Sequence, residues 1–275
     1  MINRNYYYLV AGLPDIIIEQ SKITLALTDF KAELNEHLHP DDYKLVELLF
    51  LPADNRNVLN MLMKNIGDFD TSGRYTFDDI EDGIKEPEIF PHYLATFINH
   101  FKDNNPIVPN SSWENQMTTL YFDYIHKFDN AFLREWFLFE LNVKNVLTAL
   151  NSRRHKLTYE NQLISNNIVV ECIRKSNARD FGLANEFPLV EKLLQINENS
   201  NLLEREKALD LLRWHHLDDL NTFNYFTIEM ILGYVIKLGI VERWMKLDKK
   251  TGEQMFRQFL MDLEKSYEFP KEFNA

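Results

Sequence analysis

One loop in this chain has the spacing of a metal site. Set on a twelve-residue calcium loop, Asp68-Phe-Asp-Thr-Ser-Gly-Arg-Tyr-Thr-Phe-Asp-Asp79 puts Asp68, Asp70 and Ser72 at the first, third and fifth positions. Gly73 falls at the sharp turn and Thr76 at the ninth position, with a helix expected on either side. The closing position works against calcium. It is Asp79, one methylene shorter than the Glu that would grip the ion with both oxygens, and no second loop of this kind follows. Asp, Ser and Gly also build ordinary turns, and Thr76-Phe-Asp-Asp79 is a helix-capping box. The turn-and-cap role is therefore the expectation, with calcium held by Asp68, Asp70, Ser72 and Asp79 as the alternative.

Other reactive side chains are scattered. His37 and His39 project in different directions from a helix, as do His215 and His216, while His215 and Asp219 share a face without a third ligand. An acid–base pair would first be sought at Glu140 with His215 or His216. Cys172, the single cysteine, lies among Val169, Val170 and Ile173 and reads as a buried thiol, which fits a reducing compartment. There is no Gly-rich phosphate loop, no Gly-x-Ser-x-Gly and no His-Glu-x-x-His. No catalytic residue, cofactor site or metal centre is expected.

The elements behind these residues read as helices. Glycine (8) and proline (9) are scarce in 275 residues, and Leu, Glu, Lys, Asn and Phe are abundant. Helices are expected from Thr28 to His37, Pro40 to Phe50, Asp54 (as N-cap) to Ile66, Thr76 to Lys85 and Pro91 to Phe101. Further helices should run from Trp113 to Phe128, Asn161 to Lys175, Pro188 to Gln195, Leu202 to Leu220, Tyr225 to Leu247 and Thr251 to Tyr267. Only Tyr6 to Val10 and Ile16 to Ile18 have strand composition. After Asp129, Phe132, Trp136, Phe139, Val143, Val146 and Leu150 form a helical stripe, and Phe137, Leu138 and Leu141 lie opposite. A helix apolar on so many sides is buried on several faces, so its Glu140, Asn142 and Asn145 need internal partners. Gly233 and Gly239 suggest places where another element comes close to a long helix. The Asn- and Pro-rich stretch from Lys102 to Ser112 divides the chain into lobes of residues 1–109 and 110–275.

A net charge of -12 argues against a nucleic-acid surface, which needs clustered cations. Arg153-Arg-His-Lys156 falls where a helix should end and complements its dipole. No leader peptide or membrane span is recognisable, since the best candidate, Phe226 to Val241, is interrupted by Glu229 and Lys237.

A short pattern occurs twice: Asp54-Asn-Arg-Asn-Val-Leu-Asn-Met-Leu62 and Asn142-Val-Lys-Asn-Val-Leu-Thr-Ala-Leu150. Both carry a basic residue, Asn-Val-Leu, two free positions and Leu, and both follow an apolar run. Two copies are too few for a solenoid and suggest a duplicated helical lobe. Asn57 and Asn145 should then occupy equivalent places, with Val58, Leu59, Leu62 and Val146, Leu147, Leu150 facing the lobe interiors. The fold class expected is all-α, a multi-lobed helical bundle with an internal pseudo-repeat.

These residues, in this order, resemble the all-helical C subunit of V/A-type ATPases, known in eukaryotic enzymes as the d subunit. The opening Tyr6-Tyr-Tyr-Leu9 is similar to that family's Tyr-x-Tyr-Leu segment, and the two Asn-bearing helices are similar to its acidic-x-x-x-Asn-Leu/Val patterns. Tyr234, Lys237 and Glu242 loosely match its last long helix, without the closing Asn-Leu-Arg. The opening through Leu13-Pro-Asp15 is more similar still to an uncharacterised bacterial family whose members sit beside V-type ATPase subunits. The resemblance implies a funnel-shaped, non-catalytic central-stalk adaptor, cytoplasmic and peripheral to the membrane. It implies the rotor axle subunits and the membrane ring as partners, and a role in ion transport by a rotary motor. The alternative is a calcium-responsive helical binding protein using the Asp68–Asp79 loop.

Overall fold

The computed structural model describes residues 4–18, 20, 23–65 and 67–247 in full and follows the backbone of the last helix to residue 266. Among the described residues every regular element is helical. In order these are α1 (Tyr7–Ala11), α2 (Leu27–His37), α3 (Pro40–Leu48), α4 (Leu51–Met63), α5 (Phe77–Lys85) and, after a 3-10 turn at Pro87–Ile89, α6 (His92–Lys102). The chain continues with α7 (Trp113–Ile125), α8 (Ala131–His155), α9 (Ile168–Lys175), α10 (Val190–Glu198), α11 (Leu202–Leu220) and α12 (Ile228–Ser266). No helix among the described residues is long and apolar enough to cross a membrane.

Caps set most boundaries. Ser112, Asn130, Asn167 and Asn201 each accept a backbone N–H in the first turn of the helix that follows. The Thr76–Asp79 capping box forms as expected. Despite strand composition, the Tyr6–Val10 stretch enters the short helix α1 and Ile16 to Ile18 form no strand, in keeping with the all-α expectation. Three expectations fail for local reasons. Asp54 is not a cap, because α4 starts earlier, at Leu51, with Pro52 in its first turn. The helix expected from Asn161 begins only after the Asn167 cap. The two terminal helices are one, since a lone Gly252 costs about 1 kcal/mol and neither breaks nor ends a helix by itself.

As its stripe predicts, α8 buries residues on several faces, including Phe132, Trp136, Phe137, Leu141 and Val146, and packs on α7, α9 and α10. The core is one continuous cluster from Leu9 to Leu238. It runs across the junction between residues 109 and 110, where the Trp113 ring of α7 lies 4.9 Å from Phe101 and 5.9 Å from Phe97 of α6. Of Gly233 and Gly239, only Gly233 answers to a close approach. A Cβ there would run into the Asn221 amide and sit 3.6 Å from Phe132, whereas at Gly239 the nearest side chain is 3.9 Å away.

The α12 residues matched to the last-helix pattern fasten that helix to the body. The Tyr234 hydroxyl donates to Pro14 O at 2.9 Å, Lys237 pairs with Asp218, and Glu242 Oε1 accepts the Leu27 N–H at the start of α2 at 2.5 Å.

Candidate functional site

The two Asn-Val-Leu helices carry the same local device. Asn57 of α4 donates its amide to Asp70 O at 2.9 Å and accepts the Asp70 N–H at 2.9 Å. Asn145 of α8 donates to Ile164 O at 2.9 Å and accepts the Ile164 N–H at 2.8 Å. A primary amide matches one residue's N–H and C=O, so each asparagine pins a single residue's backbone in the connection that follows its helix. One turn earlier a second polar side chain holds the same connection further on. Asp54 accepts the Arg74 N–H at 2.9 Å and the Tyr75 N–H at 3.2 Å, while Asn142 accepts the Asn167 amide at 2.7 Å. Both helices end on a lysine in the left-handed region, Lys64 at φ 53° and Lys156 at φ 56°. Both connections lead into a short amphipathic helix, α5 or α9. Val58, Val146 and Leu150 are buried as expected, whereas Leu59, Leu62 and Leu147 are half-buried. Truncating Leu147 should accordingly cost less than a full core deletion.

The Asp68–Asp79 loop is the first of these connections. Lys31 of α2 reaches under it, donating to Gly73 O at 2.6 Å and Ser72 O at 3.2 Å, with its ammonium 4.3 Å from the Phe50 ring centre. Asp70 is occupied: Oδ1 accepts the Ser72 hydroxyl at 2.6 Å and N–H at 3.0 Å, and Oδ2 faces Arg56 at 3.2 Å. Burial works against the Asp70 carboxylate, but the Ser72 donors and Arg56 hold it below the usual carboxylate range. Asp79 is committed to the Thr76 cap, and Asp68 is exposed. No group of three or more His, Cys, Asp or Glu among the described residues is arranged to hold a metal ion. Millimolar calcium is expected to leave the melting temperature unchanged. A rise of several degrees that disappears in Asp68→Ala would instead establish the calcium alternative, since a ligand at a hundredfold excess over Kd stabilises by about 2.7 kcal/mol.

Asp54 makes the loop sensitive to pH. Its carboxyl is fully buried, and burial lifts its pKa from 3.8 to about 6 against the opposing pull of the Arg74 and Tyr75 N–H groups and of Lys31. Because the folded value lies above the unfolded one, the native chain keeps a proton that the unfolded chain has released between those pH values. Asp54's contribution is full below the unfolded value and falls, by about 3 kcal/mol at most, as pH rises through the folded one. Denaturation of wild type and Asp54→Asn across this window should show their stability difference changing with pH. A constant difference would contradict it.

Beside this loop an open cleft of about 870 Å³ runs between α4 and α7–α8 on one side and α11–α12 on the other. Leu59, Met117, Phe137, Val235 and Ile240 give it apolar walls, and Arg56, Asp70, Glu114 and Lys246 contribute charge of both signs. An ionic network centred on one buried carboxylate braces it. Asp210 of α11, 1% exposed, accepts from Arg213 at 3.0 Å and from the Trp244 indole at 2.7 Å, and also pairs with Arg243 of α12. Arg213 in turn holds Glu140 of α8 at 2.8 Å. Burial would lower the Arg213 pKa, but Glu140 and Asp210 more than offset it and keep the guanidinium charged.

The structure does not bring Glu140 and the histidines together as an acid–base pair. Glu140 is engaged with Arg213, and His216 stacks on Phe139 with ring centres 4.0 Å apart, its pKa lowered by burial. Cys172 is half-buried in α9. The Asp210 network is not announced by any motif, because Glu140 of α8 and Arg213 of α11 lie 73 residues apart and meet only in the fold.

Fold and site together define an all-helical protein with one continuous core and an open, ion-braced apolar cleft. The chain belongs to the DUF2764 family of proteins of unknown function, whose family model matches residues 3–267. No curated protein and no solved structure matches it.

Proposed function

We propose that this chain is a non-catalytic central-stalk adaptor of a V/A-type ATPase or ATP synthase, joining the soluble rotor axle to the membrane ring. The observation that carries this is the open cleft of about 870 Å³, whose apolar walls suit one face of a partner helix and whose charges of both signs could set its register. A torque-bearing adaptor must keep such a cleft from deforming. The Glu140–Arg213–Asp210–Arg243 network ties three helices together around it, and the Asn57 and Asn145 clamps tether the connections after α4 and α8. The shared clamps, left-handed lysine ends and amphipathic helices further support reading α4–α5 and α8–α9 as copies of one unit. The kind of machine comes from the resemblance of the Tyr6–Leu9 opening and of the α12 pattern to the helical stalk family of the V/A-type ATPases.

Affinity-tagged protein from its native cells should bring down axle and ring subunits together. Isolation of the tagged chain free of any ATPase subunit would remove the proposal.

A further inference from the structure

We propose that the end of the molecule formed by α1 and the α11–α12 turn is a lipid-contacting face, which seats aromatic rings in the headgroup layer of a zwitterionic membrane surface. This goes beyond the adaptor role, which needs no direct lipid contact.

Exposed aromatic rings are concentrated here. Tyr8 is 88% exposed and Phe223 86%, and Tyr7, Tyr225 and Phe226 are also exposed. Among the described residues, the one exposed large aromatic side chain elsewhere is Phe77. The two segments form one surface: the Tyr6 N–H donates to Phe226 O at 2.7 Å, and the Tyr7 and Phe226 rings are 4.7 Å apart. Folding does not require rings this exposed, and a concentrated apolar patch marks a surface that meets something else.

Charge and hydrogen bonding say what it meets. Residues 5–14 and 220–228 contain no Asp, Glu, Lys or Arg, in a chain that is 26% charged with a net charge of -12. Of the flanking charges, Lys237 pairs with Asp218, Arg4 pairs with Asp42 and Glu229 accepts from the Asn130 amide, while Asp15, Asp219 and Glu33, which shares a hollow with Tyr8, are exposed acids. Three polar side chains of the patch are used internally, Thr222 donating to Asp219 O at 2.9 Å, Asn224 to Leu220 O at 3.1 Å and Asn5 to the Tyr7 hydroxyl at 3.2 Å, and the Thr227 hydroxyl is buried. What faces outward is ring surface with phenol tips on Tyr8 and Tyr225. A protein interface would ordinarily add directed hydrogen bonds, and a nucleic acid would require cations. An uncharged headgroup layer matches rings with an apolar body and a polar tip. An anionic layer would repel a chain of this net charge.

The full chain should co-sediment with phosphatidylcholine vesicles. Tyr8→Ser with Phe223→Ser, both at positions too exposed to support the fold, should weaken that binding at least tenfold, while Phe77→Ser should not. Adding phosphatidylglycerol should weaken it as well. Failure of the full chain to bind phosphatidylcholine, equal binding by the double variant, or binding that appears only with phosphatidylglycerol would each overturn the inference. So would capture of a purified ring or axle protein through Tyr8 and Phe223 while vesicles are ignored. Because the vesicles contain no ATPase subunit, the vesicle results do not bear on the adaptor role.

Discussion

Asn145→Ala is expected to destabilise the chain by about 2–5 kcal/mol, because it orphans two buried backbone groups at once and each costs about 1–3 kcal/mol. The amide holds both the N–H and the C=O of Ile164, and Asn145 and Ile164 are both buried. No neighbouring side chain or solvent takes over cheaply. Asn57→Ala removes the same pair of bonds from Asp70, but Asp70 is only half-buried and water can replace part of what is lost. Its loss should be smaller, about 1–3 kcal/mol. Urea denaturation of both variants checks the order. Equal, negligible losses would mean that the two amides are incidental.

Asp210→Ala should cost about 1–3 kcal/mol, since it removes the buried carboxylate on which the network converges and leaves the Trp244 indole without its acceptor. Arg213 would keep Glu140, but Arg243 would lose its buried partner and the Trp244 indole its acceptor. Asp210→Asn keeps the volume and one acceptor and should fall between wild type and alanine. The same denaturation measurement applies. A loss below about 1 kcal/mol in Asp210→Ala would show that water enters the site and that the network does not brace the cleft.

How much is legible in the sequence depends on how local the cause is. The α8 helix and its burial follow from one stripe of apolar residues, and the Thr76 cap from the three-residue spacing to Asp79. Asn57 and Asn145 stand out because the same run of residues occurs twice, and their need for internal partners follows from burial alone. Asp54 misleads because a buried acid one turn into a helix looks, in sequence, like a cap at its start. The Tyr6–Val10 stretch has strand composition but no strand to pair with, and Tyr6 hydrogen-bonds instead to the α11–α12 turn. The Asp210 network and the aromatic end are not legible. Each is assembled from helices far apart in sequence, and no spacing announces which charged or aromatic residues will meet.

The adaptor role is tested most directly at the cleft. A photoreactive side chain placed at Leu59, on its wall, should cross-link an axle subunit in intact cells, while the same group at Leu157, exposed and outside the cleft, should not. Cross-links to no ATPase subunit from Leu59, or to an axle subunit as readily from Leu157, would contradict the account.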